Sequence, residues 1–260
     1  MEILTHSVQN SLRNSNYLLK TRSGEIFCVD PWDAEELAPM IDALGGQLKA
    51  VINTHEHFDH IRGNEELVRR YGCEVWVHYH AIQKIPKATR GLQALERIEL
   101  GNGESLLVLD TPGHTSSHLC LLVQENDRAI GILSGDTLFN AGVGNCHNGG
   151  DPETLYETIV EQIYPLADEV VIYPGHDYLL NNLRFTIDRE PHNLRAQELL
   201  KEIVSLGSES RQTLTTMGLE REINTFFRLD SLEIRSGLKL SAESSNKDVF
   251  LALRKLRNNW

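Results

Sequence analysis

Short apolar runs closed by turn residues alternate with polar segments over the first two thirds of the chain. Such runs, bounded by Asp, Asn, Pro or Gly, are typical of buried strands. The strands predicted in this way are 26–29, 50–52, 75–77, 106–109, 119–123, 130–133 and 170–173. Apolar positions that recur every three or four residues instead predict helices, at 34–44, 64–71 and 152–163.

The pattern changes after about residue 178, where helical spacing replaces the short apolar runs. Two amphipathic stripes lie in this part of the chain. One consists of Leu194, Leu199, Leu200, Ile203 and Leu206, and the other of Phe250, Leu251, Leu253 and Leu256. We therefore predict a first domain over residues 1–178 and a small helical domain over residues 179–260.

Composition and charge exclude several classes of protein. The 260 residues carry 25 Lys and Arg against 37 Asp and Glu, a formal net charge of −12. So acidic a chain is a poor candidate for binding nucleic acid or an anionic membrane. No apolar run is long enough for a membrane helix, and Met1–His6 does not resemble a secretory signal. The four cysteines include no Cys-x-x-Cys pair, so we expect a reduced, cytoplasmic protein.

The 11 histidines are unevenly placed, and several follow the ends of predicted strands. The segment 54–60, Thr-His-Glu-His-Phe-Asp-His, comes directly after the strand at 50–52. His114, Asp136 and His176 each follow a further predicted strand within a few residues. Strand ends that share a sheet edge lie close in space, and imidazole and carboxylate groups are ligands of zinc, iron and manganese. We therefore expect a metal site at this edge.

The spacing within the segment indicates two metal ions. His55 and His57 are two residues apart, so they face the same way in an extended loop, while Asp59 and His60 serve a second position. His114 can complete the first group and His176 the second, and Asp136 can bridge the two. We predict two divalent ions per chain, with zinc preferred over iron or manganese. His118 is interpreted as a supporting residue, and His78 with His80 offers too few ligands for a further site.

These motifs together resemble the metallo-β-lactamase superfamily. The segments that carry the resemblance are 54–60 with Gly63, 111–114, 135–139 and 175–176. Within that superfamily the chain most resembles the glyoxalase II family, the hydroxyacylglutathione hydrolases. The segments that point there are 16–19, 175–178, 181–185 and the tail 252–260. The resemblance implies an α+β fold, an αββα sandwich followed by a small C-terminal helical domain.

The resemblance also implies an activity. One metal would hold His55, His57 and His114, and the other Asp59, His60 and His176, with Asp136 bridging. Bound metals lower the pKa of water to about 7, so a hydroxide shared by two ions can attack a thioester carbonyl. Asp59 and Asp136 would be the catalytic carboxylates. The implied substrate is an S-(2-hydroxyacyl)glutathione such as S-D-lactoylglutathione, hydrolysed to glutathione and a 2-hydroxy acid in methylglyoxal detoxification.

The match is weaker in the segments that would bind the substrate. The family pattern implies that Tyr178 contacts glutathione, and that Lys255 and Arg257 of the last helix supply positive charge. Where the family has a lysine and an aromatic residue, this chain has Asn145 and His147. Glutathione would then bind more weakly, or the acyl carrier would differ.

Other functions remain open at this level. They are hydrolysis of a different thioester on the same two metals, a persulfide-dioxygenase-like oxidation with one iron, β-lactam hydrolysis, and metal-dependent binding without catalysis. The sequence of residues 173–178 resembles that of persulfide dioxygenases, but those enzymes lack the long helical tail. We expect a monomer whose partner is a small-molecule thioester, with no nucleic-acid or membrane partner.

Overall fold

Two β-sheets pack face to face at the centre of the computed structural model, which describes residues 1–207, 212–241 and 243–260. Within those residues the first sheet has six strands and the second five. The first sheet contains, in chain and spatial order, β1 (Glu2–Ser7), β2 (Ser15–Lys20), β3 (Glu25–Val29), β4 (Gln47–Ile52), β5 (Glu74–His78) and β6 (Arg90–Leu92). The later strands are β7 (Arg97–Gly101), β8 (Glu104–Asp110), β9 (Leu119–Glu125), β10 (Arg128–Gly135), β11 (Leu138–Phe139), β12 (Gly142–Val143) and β13 (Val171–Pro174). The second sheet has the order β13-β10-β9-β8-β7, and β11 pairs with β12 as a separate hairpin.

Helices cover both outer faces of the sandwich and form the end of the chain. They are α1 (Ala34–Leu44), α2 (Phe58–Ile61), α3 (Asn64–Tyr71), α4 (Pro152–Thr158), α5 (Leu179–Arg189), α6 (Leu194–Leu206), α7 (Met217–Ile223), α8 (Leu232–Gly237) and α9 (Asn246–Arg257). The predicted bounds of α1 and α3 are confirmed, whereas the predicted helix 152–163 changes after Thr158 into a π-helical turn, Ile159–Ile163. None of the helices in the described part of the chain has the length and apolar character of a membrane span.

Three apolar layers hold the sandwich together. Side chains of both sheets meet between them, for example Phe27 and Ile52 with Leu106 and Leu121. The other face of the first sheet packs on α1 and α3, and that of the second sheet packs on α4 and α9. Because each strand sends alternate side chains to opposite faces, one strand serves two layers. This arrangement is the predicted αββα sandwich.

The predicted apolar stripe of α6 is only partly buried. Leu199 lies against α5 and α7, whereas Leu194 and Leu206 at the two ends are 68% and 60% exposed. The helix therefore uses its central turns for packing.

The strands that precede the histidine-bearing loops end at one edge of the sandwich. β3, β4 and β5 are parallel, and β10 is parallel to β13, so their carboxyl ends point the same way within each sheet. The Leu119 N–H donates to the Thr54 carbonyl at 2.8 Å, which joins the loop after β4 to the second sheet. The loops after β4, β8, β10 and β13 therefore converge, and they carry the predicted site.

Candidate metal centre

Seven side chains from four loops converge at this edge in two groups. One group is His55, His57 and His114, the other Asp59, His60 and His176, and within each the nitrogen and oxygen atoms lie within 4.8 Å of one another. The seventh side chain, Asp136, touches both groups. Its Oδ2 lies 3.4 Å from His114 Nε2 and 3.2 Å from His176 Nε2, and its Oδ1 lies 3.5 Å from His60 Nε2.

Two buried polar atoms in the centre show that its donor set fits a cation. His55 Nε2 and Asp136 Oδ1 are shielded from solvent and have no hydrogen-bond partner among the described residues. A buried polar atom without a partner costs about 1–3 kcal/mol. Divalent metals take imidazole nitrogen and carboxylate oxygen as ligands, so an ion bound here would satisfy both atoms.

Backbone carbonyls fix which nitrogen of three imidazoles is free to bind a metal. The pairs are His57 Nε2 with Asn148 O at 3.0 Å, His114 Nδ1 with Asn145 O at 2.6 Å, and His176 Nδ1 with Leu12 O at 2.9 Å. A carbonyl oxygen only accepts, so the named nitrogen carries the proton and the other nitrogen keeps its lone pair. That lone pair belongs to Nδ1 in His57 and to Nε2 in His114 and His176, which are the nitrogens that face the centre.

Asp30 fixes the remaining two imidazoles. Its Oδ2 accepts from His60 Nδ1 at 2.9 Å and from the Thr54 hydroxyl at 2.6 Å, and its Oδ1 accepts from the Thr54 N–H at 2.8 Å. Because that hydroxyl proton goes to Asp30, Thr54 Oγ1 accepts from His55 Nδ1 at 3.0 Å. His55 and His60 therefore both present Nε2 to the centre. Such supporting partners orient metal ligands.

Asp30 is a supporting residue that the sequence analysis does not identify, because an aspartate before proline also suits a simple turn. The signal was nonetheless present, because Asp30 follows the predicted strand 26–29 directly, as the other site residues follow theirs. The backbone at Asp30 is left-handed, with φ 52°, a conformation that Asp and Asn adopt more readily than most residues.

The charges of the centre are strongly coupled. Burial would raise the pKa of Asp136, but the imidazoles of His176, His60 and His114 hold it well below its usual range. Burial lowers the pKa of His60, but the carboxylates of Asp136 and Asp30 more than offset this and raise it to about 9. Burial, followed by the charge of His60, lowers the pKa of His55 well below its usual value. The centre thus holds an ionised carboxylate among imidazoles with very different proton affinities.

Two further residues hold the backbone around Asp136. Its N–H donates to His118 Nε2 at 3.1 Å, so His118 supports the centre as predicted. Gly144 lies so close that a Cβ atom there would be 1.8 Å from the Asp136 carbonyl oxygen. Only glycine permits the hairpin to approach the centre this closely.

Glu56, in the middle of the histidine-rich segment, points away from the centre. Its carboxylate accepts from Lys84 Nζ at 2.7 Å and from the Thr115 hydroxyl at 3.2 Å. This contact ties the loop after β4 to the loop after β8.

A cavity of about 210 Å³ lies beside the centre, between the β11–β12 hairpin and the last helix. The residues that line it are Phe139, Val143, Asn145, His147, Tyr178, Asn182, Arg254, Arg257 and Asn258. Tyr178 joins the cavity to the centre, since its ring stacks on that of His176 with centroids 5.1 Å apart. Burial, followed by the charge of Asp136, raises the pKa of Tyr178, so its phenol keeps the proton and can donate.

The positively charged side chains that line this cavity differ from the prediction at one residue. Arg257 lines the cavity as expected, and its Nη2 donates to Asn182 Oδ1 at 3.3 Å. Lys255 does not line it; that residue is exposed on the other side of α9, and Arg254 provides the second cation. Residues three apart share a helix face, whereas residues two apart do not, so Arg254 pairs with Arg257. Burial lowers the pKa of Arg254 to about 10, so it remains charged at neutral pH.

Asn145 and His147 both line the cavity, but the amide of Asn145 is already engaged. Its Oδ1 accepts from the His147 N–H at 3.1 Å, and its backbone carbonyl accepts from His114. The segment thus holds His114, a candidate metal ligand, in place and adds no cation to the cavity wall.

Comparison with known proteins agrees with this geometry. The family model for the metallo-β-lactamase superfamily matches residues 14–176, and that for the hydroxyacylglutathione hydrolase C-terminus matches residues 177–260. The chain is 45% identical over 257 residues to a hydroxyacylglutathione hydrolase of Nitrosococcus oceani, covering 96% of this chain and 97% of that protein. It is 42% identical to a protein of the same name from a Polaromonas species, with the same coverage.

Solved structures resemble the chain in fold. ETHE1 from Myxococcus xanthus superposes with a TM-score of 0.70 at 21% identity, covering 98% of this chain and 91% of that one. TTHA1623, solved in a di-iron-bound form, superposes with a TM-score of 0.57 at 24% identity, covering 86% of this chain and 99% of that one. At such identities the likeness concerns the fold alone.

Proposed function

Because the chain belongs to the hydroxyacylglutathione hydrolase family of the metallo-β-lactamase superfamily, we propose that it hydrolyses the thioester of S-(2-hydroxyacyl)glutathione. The products are glutathione and a 2-hydroxy acid, and S-D-lactoylglutathione, formed in methylglyoxal detoxification, is the first substrate to test. One observation carries the proposal beyond family membership: a complete set of ligands for two metals lies directly beside a cavity with two arginines.

The seven converging side chains would hold two divalent ions, zinc in preference to iron or manganese. His55, His57 and His114 suit one ion, Asp59, His60 and His176 suit the other, and Asp136 can bridge. When bound, two such ions supply an activated water and polarise the thioester carbonyl.

The remaining residues bind and orient the carrier. Glutathione is anionic, so Arg257 and Arg254 stabilise its carboxylates in the cavity, where charge-assisted hydrogen bonds are stronger than neutral ones. Tyr178, stacked on His176 and protonated, donates a hydrogen bond where the cavity meets the centre. The thiol of glutathione leaves readily as a thiolate, so the chain needs no side chain to protonate the leaving group.

This chain has Asn145 where the family pattern has a lysine, and we therefore expect the glutathione carrier to bind more weakly than that pattern implies. An exposed charge contact contributes about 0.2–1 kcal/mol, and a desolvated one more. The charge of Arg254 partly replaces it, although its Nη1 already donates to the carbonyls of Val143 and Gly144 at 2.9 and 3.0 Å. We therefore expect a raised KM for glutathione thioesters with an undiminished kcat.

Steady-state hydrolysis of S-D-lactoylglutathione, with metal content measured on the same sample, tests the proposal. We expect two metals per chain and a kcat/KM of at least about 10⁴ M⁻¹s⁻¹, within the usual range of enzymes. Two metals with negligible turnover would refute glutathione as the carrier, and a panel of other thioesters would then be assayed. Oxygen consumption with glutathione persulfide would instead support the oxidoreductase alternative, which the full ligand set for two metals does not favour.

Three further properties complete the proposal. Residues 1–178 form the catalytic domain, and residues 179–260 form the carrier-binding domain. The enzyme acts as a monomer, which light scattering in solution would check. It resides in the cytoplasm, in keeping with four unpaired cysteines, three of them buried.

A further inference from the structure

Glu220 in α7 has a fully buried carboxyl group that contacts the hairpin formed by β11 and β12. Both of its oxygens lie 2.9 Å from the Ala141 nitrogen, whose N–H donates to them. The Thr215 hydroxyl donates to Oε1 at 2.6 Å, and Asn224 Nδ2 donates to Oε2 at 2.7 Å. A carboxyl group from the helical part of the chain thus accepts hydrogen bonds from the turn of a hairpin that lines the cavity.

The turn that Glu220 contacts has an unfavourable backbone conformation. Ala141 is left-handed, with φ 58°, which crowds the Cβ atom of any residue other than glycine. Neighbouring side chains hold the same turn, since Asn224 Nδ2 also lies 3.3 Å from the Gly142 carbonyl and Asn182 Nδ2 donates to the Asn140 carbonyl at 2.9 Å. Such a conformation persists only where the surroundings impose it.

The residues directly after this turn serve both the cavity and the metal centre. The Val143 and Gly144 carbonyls accept from Arg254 of the cavity wall. The Asn145 carbonyl accepts from His114 Nδ1 at 2.6 Å and so sets the tautomer of that imidazole. A shift of the hairpin would therefore displace one wall of the cavity and release one metal-binding histidine together.

We propose that Glu220 is a positioning residue, which holds the β11–β12 hairpin so that the Asn145 carbonyl reaches His114 and the Gly144 carbonyl reaches Arg254. The kinetic part of this inference rests on the proposed function, whereas the effect on metal affinity does not. Glu220 touches neither the substrate cavity nor the metal-binding side chains, so it acts through the hairpin.

The choice of a carboxyl group at this place supports the assignment. Burial raises the pKa of Glu220 to about 7, so the ionised form is destabilised where it lies. If the side chain only filled space, an apolar residue of similar volume would stabilise the fold more than a buried carboxyl group does. A carboxyl group offers what an apolar side chain lacks, acceptor oxygens for the Ala141 N–H.

The test compares Glu220→Ala with Glu220→Gln and with a matched control, Glu190→Ala. Glu190 is also a buried carboxylate, but its partners Arg228 and Ser231 lie in the helical part of the chain, away from the hairpin. Zn²⁺ is titrated into the metal-stripped proteins, and KM and kcat are measured on S-D-lactoylglutathione. Thermal melting of each variant is recorded so that all comparisons are made below unfolding.

We expect Glu220→Ala to lower affinity for the more weakly held zinc ion and to raise KM, each by at least about tenfold, because small displacements of a positioned group have large effects. Glu220→Gln keeps one oxygen for the Ala141 N–H, so it should stay within about threefold of the unmodified protein on both measures. Glu190→Ala should lower the melting temperature but leave zinc affinity and KM within about twofold.

A Glu220→Ala protein that matches Glu190→Ala in zinc affinity and KM would overturn the proposal, as would a Gln variant as impaired as Ala. If Glu220→Ala does not fold, Glu220→Asp takes its place, since the shorter side chain withdraws its oxygens from Ala141 while keeping a carboxyl group. Unchanged zinc affinity and KM in a folded Asp variant would equally overturn it. If neither the unmodified protein nor any variant hydrolyses S-D-lactoylglutathione, the proposed function fails. The zinc titrations alone then decide the role of Glu220.

Discussion

Asp30 lies behind both groups of candidate metal ligands, and its replacement by asparagine reverses both hydrogen bonds that its Oδ2 accepts while leaving the shape of the residue nearly unchanged. Asparagine adopts the left-handed backbone at this position, φ 52°, as readily as aspartate. The Thr54 backbone N–H, 2.8 Å from Oδ1, can only donate, so the amide oxygen of the variant must take that position. The amide nitrogen then faces His60 Nδ1, which in the unmodified protein donates to Oδ2 at 2.9 Å.

This reversal moves the proton of His60 to the wrong nitrogen. An amide NH₂ group donates, so His60 Nδ1 must accept and its proton moves to Nε2, the atom that faces the second metal group. Loss of a partner that orients a metal ligand typically lowers metal affinity about 10–100-fold, which corresponds to about 1.4–2.7 kcal/mol. We expect Asp30→Asn to weaken the group of Asp59, His60 and His176 by this amount.

Titration of Zn²⁺ into metal-stripped protein, in competition with a chromogenic chelator, measures the effect. Asp33→Asn is the matched control, because Asp33 is the N-cap of α1 three residues along and asparagine caps equally well. The control should bind two zinc ions with unchanged affinity. Two zinc ions bound to Asp30→Asn within about twofold of the unmodified affinities, in a protein with a normal melting curve, would refute the tautomer argument.

Three further predictions concern the bridge, the cavity and pH. Asp136→Ala should abolish turnover, by at least about a thousandfold, because the carboxylate that touches both groups is lost; near-normal activity with two bound metals would contradict this. Arg257→Ala should raise KM about tenfold with little change in kcat. Lys255 lies outside the cavity, so Lys255→Ala should leave both constants unchanged. Equal effects of the two substitutions would show that Arg257 does not bind the carrier. The pKa of Glu220 rises from 4.5 to about 7 on folding, so its contribution to stability is full below about pH 4.5 and is lost as pH rises through 7, by about 3 kcal/mol in all. Urea unfolding between pH 5 and 8.5 should show this decline and Glu220→Gln should flatten it; parallel curves for the two proteins would exclude Glu220 as the source.

Much of the centre could be predicted because its residues lie in a few short segments of the sequence. His55, His57, Asp59 and His60 lie within six residues, and the apolar run before them marks the strand end that exposes them. His114, Asp136 and His176 each follow another such run, so a shared sheet edge suffices to bring them together. α1 and α3 were predicted at their observed bounds for a similar reason, since their apolar spacing is local and complete.

The strands of low apolar content were harder to identify. The four central residues of β1 are all only partly buried and its two end residues are exposed, and β6 and the two strands of the β11–β12 hairpin have only two or three residues each. Such segments become strands because a neighbouring strand pairs with them, which a local pattern does not record.

The candidate metal ligands and the layers that carry them can be identified from local patterns in the sequence. The residues that support these ligands and line the cavity emerge only from the folded chain: Asp30 beside His60, Arg254 rather than Lys255 in the cavity, and Glu220 against Ala141. A ligand motif can be recognised from the spacing of residues within one loop. A supporting residue acts through a hydrogen bond between segments far apart in the chain, and that bond forms only when the fold brings the two segments together.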